Sequence, residues 1–403
     1  MSDLQKKEPG GAPSARTEKL ATICRRILLG GFLAMLFLPG PLWLLLRGRL
    51  DTENHENRIL AAFPAGKSTI SMEQWPGAFD AWLDDHAPFR NQLMSLNARV
   101  NWTLGALDSS DVLLGKEHWL FLHDVSDSKS LSDYQGLTEY TPEELAAVRD
   151  AVNALQGALS ARGSRLVILI APAKEGVYRE YMPDSVPVIR QPSKTQALAE
   201  WLQSETDAAL VWPQQALYEA AQTQQVYYRY DTHWNEAGAY LAASQILELL
   251  GKDPVPFEQI PIVPDPSAAA PTDLANVSAA WSLCTDDIYY AMDAPRAVCV
   301  SNGGDLALSV WQGQGGGSVF LLRDSFGTAL SPFLMAGFAE GTAIHGSAGP
   351  QDLLMAQLQT LQQLPDVVVI EVAERFSYNL CGQAQLLREW AEGMDQPAET
   401  ADA

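Results

Sequence analysis

Three short segments of the sequence are almost entirely apolar, and helical patterns lie between them. The segments are Leu166–Ile170, Val319–Leu322 and Val367–Val372, the last of which contains Glu371. Apolar runs of this length are typical of strands in a parallel sheet that is covered on both faces. Because helices and strands alternate along the chain, the sequence predicts a layered α/β domain with a largely parallel sheet.

The segments around these strands carry further signals. Thr141-Pro142-Glu143-Glu144 is a capping box with proline at the first helical position, and Gly163 marks the end of that helix. Residues 252–317 are rich in Pro, Gly, Ala and Asp, so we expect mostly loops there. Other predicted elements are a hairpin at Asp111–His123, helices at Ser193–Gln203, Asn235–Leu250 and Gln351–Gln363, and strands at Ala209–Trp212 and Ser318–Leu322.

Acidic side chains outnumber basic ones, but they are unevenly distributed. The 403 residues have a formal charge of −22, and 47% of them are hydrophobic, as in a globular protein. Residues 1–50 contain eight Lys and Arg against three Asp and Glu, which gives +5, so the remainder carries −27. A body this acidic repels phosphates, and we therefore expect no binding to DNA or RNA.

A run of 20 residues without a charge, Ile27–Leu46, lies near the N-terminus. This is the length that an α-helix needs to cross a bilayer, and Pro39-Gly40-Pro41 is expected to kink or shorten it. Arg25 and Arg26 precede the run, which favours a cytoplasmic N-terminus, although Arg47 and Arg49 follow it. We expect a single-pass membrane protein, with the acidic body on the far side of the membrane.

A cleaved signal peptide is the competing interpretation of this run. The run is long for a signal peptide, and Leu44-Leu45-Leu46-Arg47 is a poor cleavage site because it lacks small residues. We therefore expect an uncleaved signal anchor. The predicted parts of the chain are a cytoplasmic tail at 1–26, the transmembrane anchor at 27–46, a linker with packing helices at 47–110, a catalytic domain at 111–390 and an acidic tail at 391–403.

The cysteines and histidines do not have the spacing of a metal site, so we expect neither a metal nor a cofactor. Cys284 and Cys299 are 15 residues apart and could form a disulfide in an oxidising compartment. That pairing stays open at the level of the sequence.

Two polar segments at the edges of predicted core elements carry the residue types of acyl transfer. Asp231 and His233 lie two residues apart in Asp-Thr-His-Trp-Asn, and Ser325 lies in Arg-Asp-Ser-Phe-Gly directly after a predicted strand. Serine becomes an effective nucleophile when a histidine takes its proton, and an aspartate fixes that histidine's tautomer. The three residues together predict a catalytic triad.

Each of these residues also has an ordinary structural interpretation. Asp231 could cap the helix that begins near Asn235, and Asp324 is expected to form a turn rather than to take part in catalysis. Lys174 could line the substrate site or face solvent from a loop. Trp234, next to His233, could face a substrate or lie in the core, as most aromatic residues do.

Several short motifs occur in an order that resembles the AlgJ/AlgX-type family, the SGNH-hydrolase-like O-acetyltransferases of alginate and exopolysaccharide secretion. The Asp-x-His-Trp segment with the later Asp-Ser-Phe is the most specific of them. The others are Glu56-Asn57-Arg58 with Phe63-Pro64, Asp85 with Pro88-Phe89-Arg90, Gly115 with Trp119-Leu120-Phe121, and Pro172-Ala173-Lys174.

The resemblance implies an SGNH-hydrolase-like layered α/β domain, preceded here by a transmembrane helix, with Asp231, His233 and Ser325 as its triad. Arg323 stands where many SGNH proteins have glycine before Asp-Ser, so the shape of this turn and of the oxyanion hole is open. The resemblance also implies a polysaccharide acceptor and a membrane-bound O-acyltransferase that supplies acetyl groups. Lys174, Trp234 and Arg323 are the candidate substrate contacts.

Three functions remain compatible with the sequence. The first is acetyl transfer to a secreted polysaccharide, as the resemblance implies. The second is a carbohydrate acetyl esterase, because the same triad serves hydrolysis when water takes the acyl group. The third is a non-catalytic, membrane-anchored scaffold of a polysaccharide export complex.

Overall fold

The computed structural model describes residues 15–56, 58–65, 71–107, 109–126, 128–303, 308–346 and 351–394. Two compact units make up the chain, one over Met1–Asn97 and the other over Ala98–Ala403. The predicted acidic tail lies largely outside the described residues, as does the first part of the predicted cytoplasmic tail.

The first unit begins with the apolar segment that the sequence assigned to a membrane anchor. Helix α1 covers Ala15–Phe37 and helix α2 covers Pro39–Leu46. The part of α1 from Lys19 to Phe37 is long and apolar enough to cross a membrane. The expected interruption lies at Leu38, because the proline that follows begins α2 and has no N–H for the preceding turn.

Beyond the anchor, the first unit contains helix α3 at Trp75–Asp85 and helix α4, which starts at Arg90 and ends at Thr103 in the second unit. Ion pairs tie the extended segment after the anchor to these helices: the Arg58 guanidinium binds both oxygens of Asp85, and Arg90 binds Glu56. The hydrogen bonds from Arg58 and from Ala61 N hold the pKa of Asp85 well below its usual range. Motif residues that are distant in sequence thus meet in one network.

The second unit is built on a seven-stranded sheet with the order β4-β3-β11-β9-β10-β8-β7. The first five strands in this order run parallel, and β8 and β7 add to the edge as antiparallel strands. Two small hairpins, β1–β2 and β5–β6, lie outside this sheet. The strands are β1 Val112–Leu114, β2 Leu120–Leu122, β3 Arg165–Ala171, β4 Ala209–Val211, β5 Ile262–Pro264, β6 Tyr290–Met292, β7 Val298–Asn302, β8 Ser309–Gln312, β9 Ser318–Arg323, β10 Glu340–His345 and β11 Val367–Ala373.

Helices cover both faces of the sheet. One face packs mainly against α10 and α12, and the other packs against α6, α8 and α14. The helices of this unit are α5 Ser130–Gln135, α6 Pro142–Ser160, α7 Lys174–Val177, α8 Lys194–Glu205, α9 Gln214–Ala221, α10 Glu236–Leu249, α11 Asp273–Val277, α12 Gly327–Ala336, α13 Gln351–Leu358 and α14 Leu380–Gly393. The layered α/β architecture with a mostly parallel sheet is therefore confirmed.

The continuous apolar runs of the sequence have a direct structural cause. In β3, Val167 and Leu169 face one helical layer, whereas Leu166, Ile168 and Ile170 face the other, and all five side chains are buried. Successive residues of a strand point to opposite faces, so a strand covered twice must be apolar at every position. The same argument applies to β9 and to β11, in which Glu371 is the buried exception.

Other local predictions are also confirmed. Thr141 accepts a hydrogen bond from Glu144 N, the Glu144 side chain accepts one from Thr141 N, and α6 starts at Pro142. The predicted hairpin pairs Val112 with Leu122.

The expectation of mostly loops over residues 252–317 is confirmed, but the range also contains regular elements. Strands β5 to β8 and helix α11 lie within this range, and β7 and β8 extend the central sheet. All five residues of β7 are exposed, so this edge strand has no buried face to give it an apolar pattern. Cys284 is buried and Cys299 is exposed, and both are free thiols rather than a disulfide.

Candidate active site

The candidate site lies where parallel strands of the central sheet end. Ser325 follows the end of β9, Ala173 follows the end of β3, and Glu374 follows the end of β11. Because the carboxyl ends of parallel strands share one edge of a sheet, the loops that follow them converge there. This edge presents the turn that contains Ser325.

Asp231 and His233 reach the same edge from a tight loop before α10. Tyr227 and Trp234 form an isolated antiparallel bridge, and Tyr228 N donates to His233 O at 3.2 Å. Asn235 caps α10, since its side chain accepts from Gly238 N at 3.1 Å. The alternative in which Asp231 caps this helix is therefore wrong, and its carboxylate has other partners.

The structure brings the three residues of the predicted triad together. His233 Nε2 lies 2.8 Å from Ser325 Oγ, and His233 Nδ1 lies 2.7 Å from Asp231 Oδ1. The imidazole therefore joins the Ser325 hydroxyl on one side to the Asp231 carboxylate on the other, and Thr232 Oγ1 also lies 3.2 Å from Nδ1. These distances are those of a nucleophile, a general base and the group that orients the base.

Asp231 is buried, and its carboxylate oxygens accept hydrogen bonds from several donors. Besides the imidazole, Oδ1 accepts from His233 N at 3.0 Å, and Oδ2 accepts from Asp273 N at 2.9 Å. Burial alone would raise the pKa of Asp231, but hydrogen bonds and the charge of His233 outweigh it and hold the pKa at about 2. Asp231 is therefore a carboxylate at neutral pH.

A second carboxylate, Asp273 at the start of α11, supports this loop. It accepts from Thr232 Oγ1 at 2.6 Å and from Thr232 N at 2.8 Å, and its Oδ2 lies 3.8 Å from His233 Nδ1. Burial and the neighbouring Asp231 charge raise the pKa of Asp273. Sequence reasoning missed Asp273, because it lies about 40 residues away in a segment without periodic pattern.

The two carboxylates and the imidazole form one group with the geometry to hold a metal ion, with ligand atoms within 4.8 Å of one another. A cation there would compete with the 2.7 Å hydrogen bond between Asp231 and His233 Nδ1. Without a metal, the chemistry available to Asp231, His233 and Asp273 is proton transfer to and from Ser325.

The turn around Ser325 is shaped by Asp324. Asp324 Oδ1 accepts from Phe326 N at 2.9 Å, which is the geometry of an Asx turn, so Asp324 is the turn former that the sequence suggested. The Phe326 N–H therefore already has an acceptor.

The Ser325 N–H has no acceptor among the described residues. Helix α12 starts two residues later, and the dipole at the N-terminus of this helix favours negative charge nearby. Ser325 N is the candidate oxyanion donor.

Two of the three candidate substrate contacts, Trp234 and Lys174, are buried rather than exposed to a substrate. Trp234 is 1% exposed and donates from Nε1 to Phe326 O at 3.0 Å, so it packs beneath the site rather than facing a substrate. Lys174 is neither a substrate contact nor solvent-facing, because it is 3% exposed and its Nζ donates to the carbonyls of Tyr228, Arg229 and Asp231. Sequence alone gave no sign that these carbonyls would converge on it.

Arg323 supports the turn that contains Ser325. Its Nη1 donates to Asp324 O at 2.9 Å and to Thr328 Oγ1 at 3.0 Å. Gly327, the first residue of α12, lies against this side chain, and a Cβ there would collide with it. The arginine that replaces the more usual glycine is thus accommodated by the glycine four residues later.

Comparison with known proteins gives three relevant similarities. Residues 112–264 match the family model described as ALGX, SGNH hydrolase-like domain, acetyltransferase AlgX. The "Probable alginate O-acetylase AlgJ" of Pseudomonas syringae pv. tomato is 28% identical over 184 residues, which is 45% of this chain and 44% of that protein. The "Probable alginate O-acetylase AlgJ" of Pseudomonas putida is 32% identical over 188 residues, which is 45% of this chain and 46% of that protein.

The chain thus spans less than half the length of these two curated relatives. Among solved structures, the O-acetyltransferase domain of Pseudomonas putida AlgJ superposes with a TM-score of 0.44 and 20% identity, covering 69% of this chain and 98% of that one. The family match includes Asp231 and His233, and Ser325 lies beyond it. Through residues 112–264, the chain is thus similar to the SGNH hydrolase-like family of AlgJ and AlgX.

Proposed function

We propose that this protein is an O-acetyltransferase that moves acetyl groups to a secreted polysaccharide through an acyl-enzyme on Ser325. The observation that carries the proposal is the continuous chain of hydrogen bonds from Ser325 Oγ through His233 to Asp231, at 2.8 and 2.7 Å. The names of the relatives, which refer to alginate O-acetylation, supply the substrate class.

In the first half of the reaction, Ser325 Oγ attacks the acetyl carbonyl of the donor while His233 Nε2 takes its proton. Asp231 stabilises the imidazolium, and Ser325 N is positioned to donate to the oxyanion. His233 then returns the proton to the leaving group, which departs and leaves an acetyl ester on Ser325.

In the second half, a sugar hydroxyl attacks this ester. His233 takes the proton of the hydroxyl and passes it to Ser325 Oγ as the ester bond breaks, which restores the enzyme. Transfer exceeds hydrolysis only if the hydroxyl is bound in line, where its effective concentration can outweigh that of ~55 M water. The function therefore requires an acceptor site next to Ser325.

The candidate acceptor site is a cavity of about 520 Å³, although neither Ser325 nor His233 lines it. A narrow cleft bordered by Thr232 and Phe326, which flank the triad, shares five lining residues with this cavity: Ser130, Ala173, Glu175, Glu374 and Arg375. Tyr134 and Trp212 add aromatic surface, and four glutamines line the cavity, at positions 191, 196, 214 and 215. Aromatic faces with amide groups suit a hydroxyl-rich ligand such as a sugar.

The anchor and the partner complete the proposal. Helix α1 would hold the domain at the periplasmic face of the inner membrane, near a membrane-bound O-acyltransferase that passes acetyl groups outward. Such a placement keeps donor and emerging polymer close to the same site.

The test uses the full-length protein in detergent with an activated acetyl ester and a panel of oligosaccharides. We expect acetylated oligosaccharide from the wild type and from Ser204→Ala, an exposed control in α8, and none from Ser325→Ala or His233→Ala. Release of acetate with every acceptor would favour the esterase. Absence of both products, with unchanged polymer acetylation in cells carrying Ser325→Ala, would favour the scaffold.

A further inference from the structure

A pair of buried carboxyl groups lies directly beneath the nucleophile turn. Glu371, in β11, is 0% exposed, and Asp324, which precedes Ser325, is 4% exposed. The two residues are in direct contact, because Asp324 N donates to Glu371 Oε2 at 2.9 Å. Two ionised carboxylates buried this close together would repel each other strongly, which favours one proton on the pair.

The remaining contacts show which of the two groups is the anion. Asp324 Oδ1 accepts from Phe326 N at 2.9 Å, and Asp324 Oδ2 accepts from Ala373 N at 2.7 Å. Glu371 Oε2 accepts only from Asp324 N, at 2.9 Å, and its Oε1 is buried without a donor among the described residues. Two N–H donors stabilise a negative charge on Asp324, so the proton belongs to Glu371.

We propose that Glu371 carries this proton at neutral pH, donates it to Asp324, and thereby acts as a positioning residue for Ser325. The proposal deepens the acyl-transfer function and rests on it. Asp324 bridges the backbone of the nucleophile turn at Phe326 to the end of β11 at Ala373. The shared proton keeps that bridge in place, and with it the direction in which Ser325 Oγ faces His233.

The surroundings of Glu371 support a neutral acid. Complete burial, followed by the charge of Asp324, raises the pKa of Glu371 well above its usual range, and the opposite effect of Arg323 is smaller. Leu169 of β3, its register partner, is apolar. His345 of β10 lies in register with Arg323. Glu374 follows on the same chain and accepts from Ala173 N, and burial raises its pKa to about 7.

The proposal predicts different outcomes for two substitutions of Glu371. In Glu371→Gln the amide still donates to Asp324 and cannot ionise, so acetyl-ester turnover at pH 7 should stay within about threefold of wild type. In Glu371→Ala the bridge loses its donor, and we expect kcat to fall by about 10- to 100-fold with little change in KM, because the nucleophile is misplaced rather than the ester unbound. Glu340→Gln, at an exposed position of β10, is the control.

The pH profile tests the proton itself. Wild type should lose activity on the alkaline side as Glu371 ionises against Asp324, and Glu371→Gln should retain activity to higher pH. Groups that titrate in both proteins, such as Lys174, cancel in this comparison. An identical alkaline limb in both proteins, or a Glu371→Gln variant as weak as Glu371→Ala, would overturn the proposal.

An infrared difference spectrum between wild type and Glu371→Gln decides the protonation state without any turnover. The band of a protonated carboxylic acid should be present in wild type at pH 7 and missing in the variant, and a carboxylate band in its place would refute the shared proton. The same spectrum distinguishes failure of the proposed function from failure of the proton assignment. If wild type has no acyl activity but shows the acid band, the proposed function fails while the proton assignment stands. If Glu371→Ala folds and keeps full activity, only the positioning role of Glu371 is refuted.

Discussion

At the scale of single residues, Asp231 links the chemistry of the site to stability. Its pKa is held at about 2 in the folded protein, below the ordinary value, so its contribution is complete above pH 4 and is lost as the pH falls towards 2. We predict that wild type is more stable than Asp231→Asn at pH 5 and that about 2 kcal/mol of this difference disappears by pH 2. Urea unfolding of both proteins across this range measures it, and a constant difference would contradict the assignment.

Lys174 holds the loop that carries Asp231. Its ammonium donates to Asp231 O at 2.6 Å, and burial lowers its pKa to about 8. Lys174→Met would leave buried carbonyls without a donor, and we expect a loss of about 3 kcal/mol in the free energy of unfolding, together with reduced turnover. Lys116→Met, which removes only a surface ion pair with Asp184, should change stability by less than about 1 kcal/mol. Equal effects in urea unfolding would argue against a structural role for Lys174.

At the scale of secondary-structure elements, the joint between β9 and α12 positions Ser325. Gly327 has no room for a Cβ because the Arg323 side chain lies against it, whereas Gly157 in α6 has open space around it. We predict that Gly327→Ala lowers both stability and turnover, and that Gly157→Ala raises stability by up to about 1 kcal/mol without changing turnover. Thermal unfolding and ester hydrolysis of the two variants test this, and an unaffected Gly327→Ala would contradict it.

The same elements show what the sequence could and could not predict. Strand β11 was predictable because helices cover both its faces and every residue is apolar except Glu371, whereas β10 and β7 mix polar and small residues at or near the sheet edge. The Asp231, His233 and Ser325 set was predictable from its residue types and motif. Asp273, Glu371 and the buried position of Lys174 depend on tertiary contacts that leave no local pattern.

At the scale of the whole molecule, the N-terminal helix bears on where the second unit lies. The basic residues before the apolar helix favour a cytoplasmic N-terminus, and the proposed function then requires the second unit to lie in the periplasm. We predict that a reporter that works in the periplasm is active when fused after residue 403, and that a reporter that works in the cytoplasm is inactive there. A matched fusion after residue 20 should show the opposite behaviour, and activity of the cytoplasmic reporter at residue 403 would reverse the orientation.

The central claim is that Ser325 carries the acetyl group during transfer. Rapid mixing of the full-length protein with an activated acetyl ester, followed by acid quench and peptide mass spectrometry, tests it most directly. We expect one acetyl group on the peptide that contains Ser325, its accumulation in the absence of acceptor, its loss when an acceptor oligosaccharide is added, and no such adduct in Ser325→Ala. Turnover of the ester without any acetyl group on Ser325 would contradict the account.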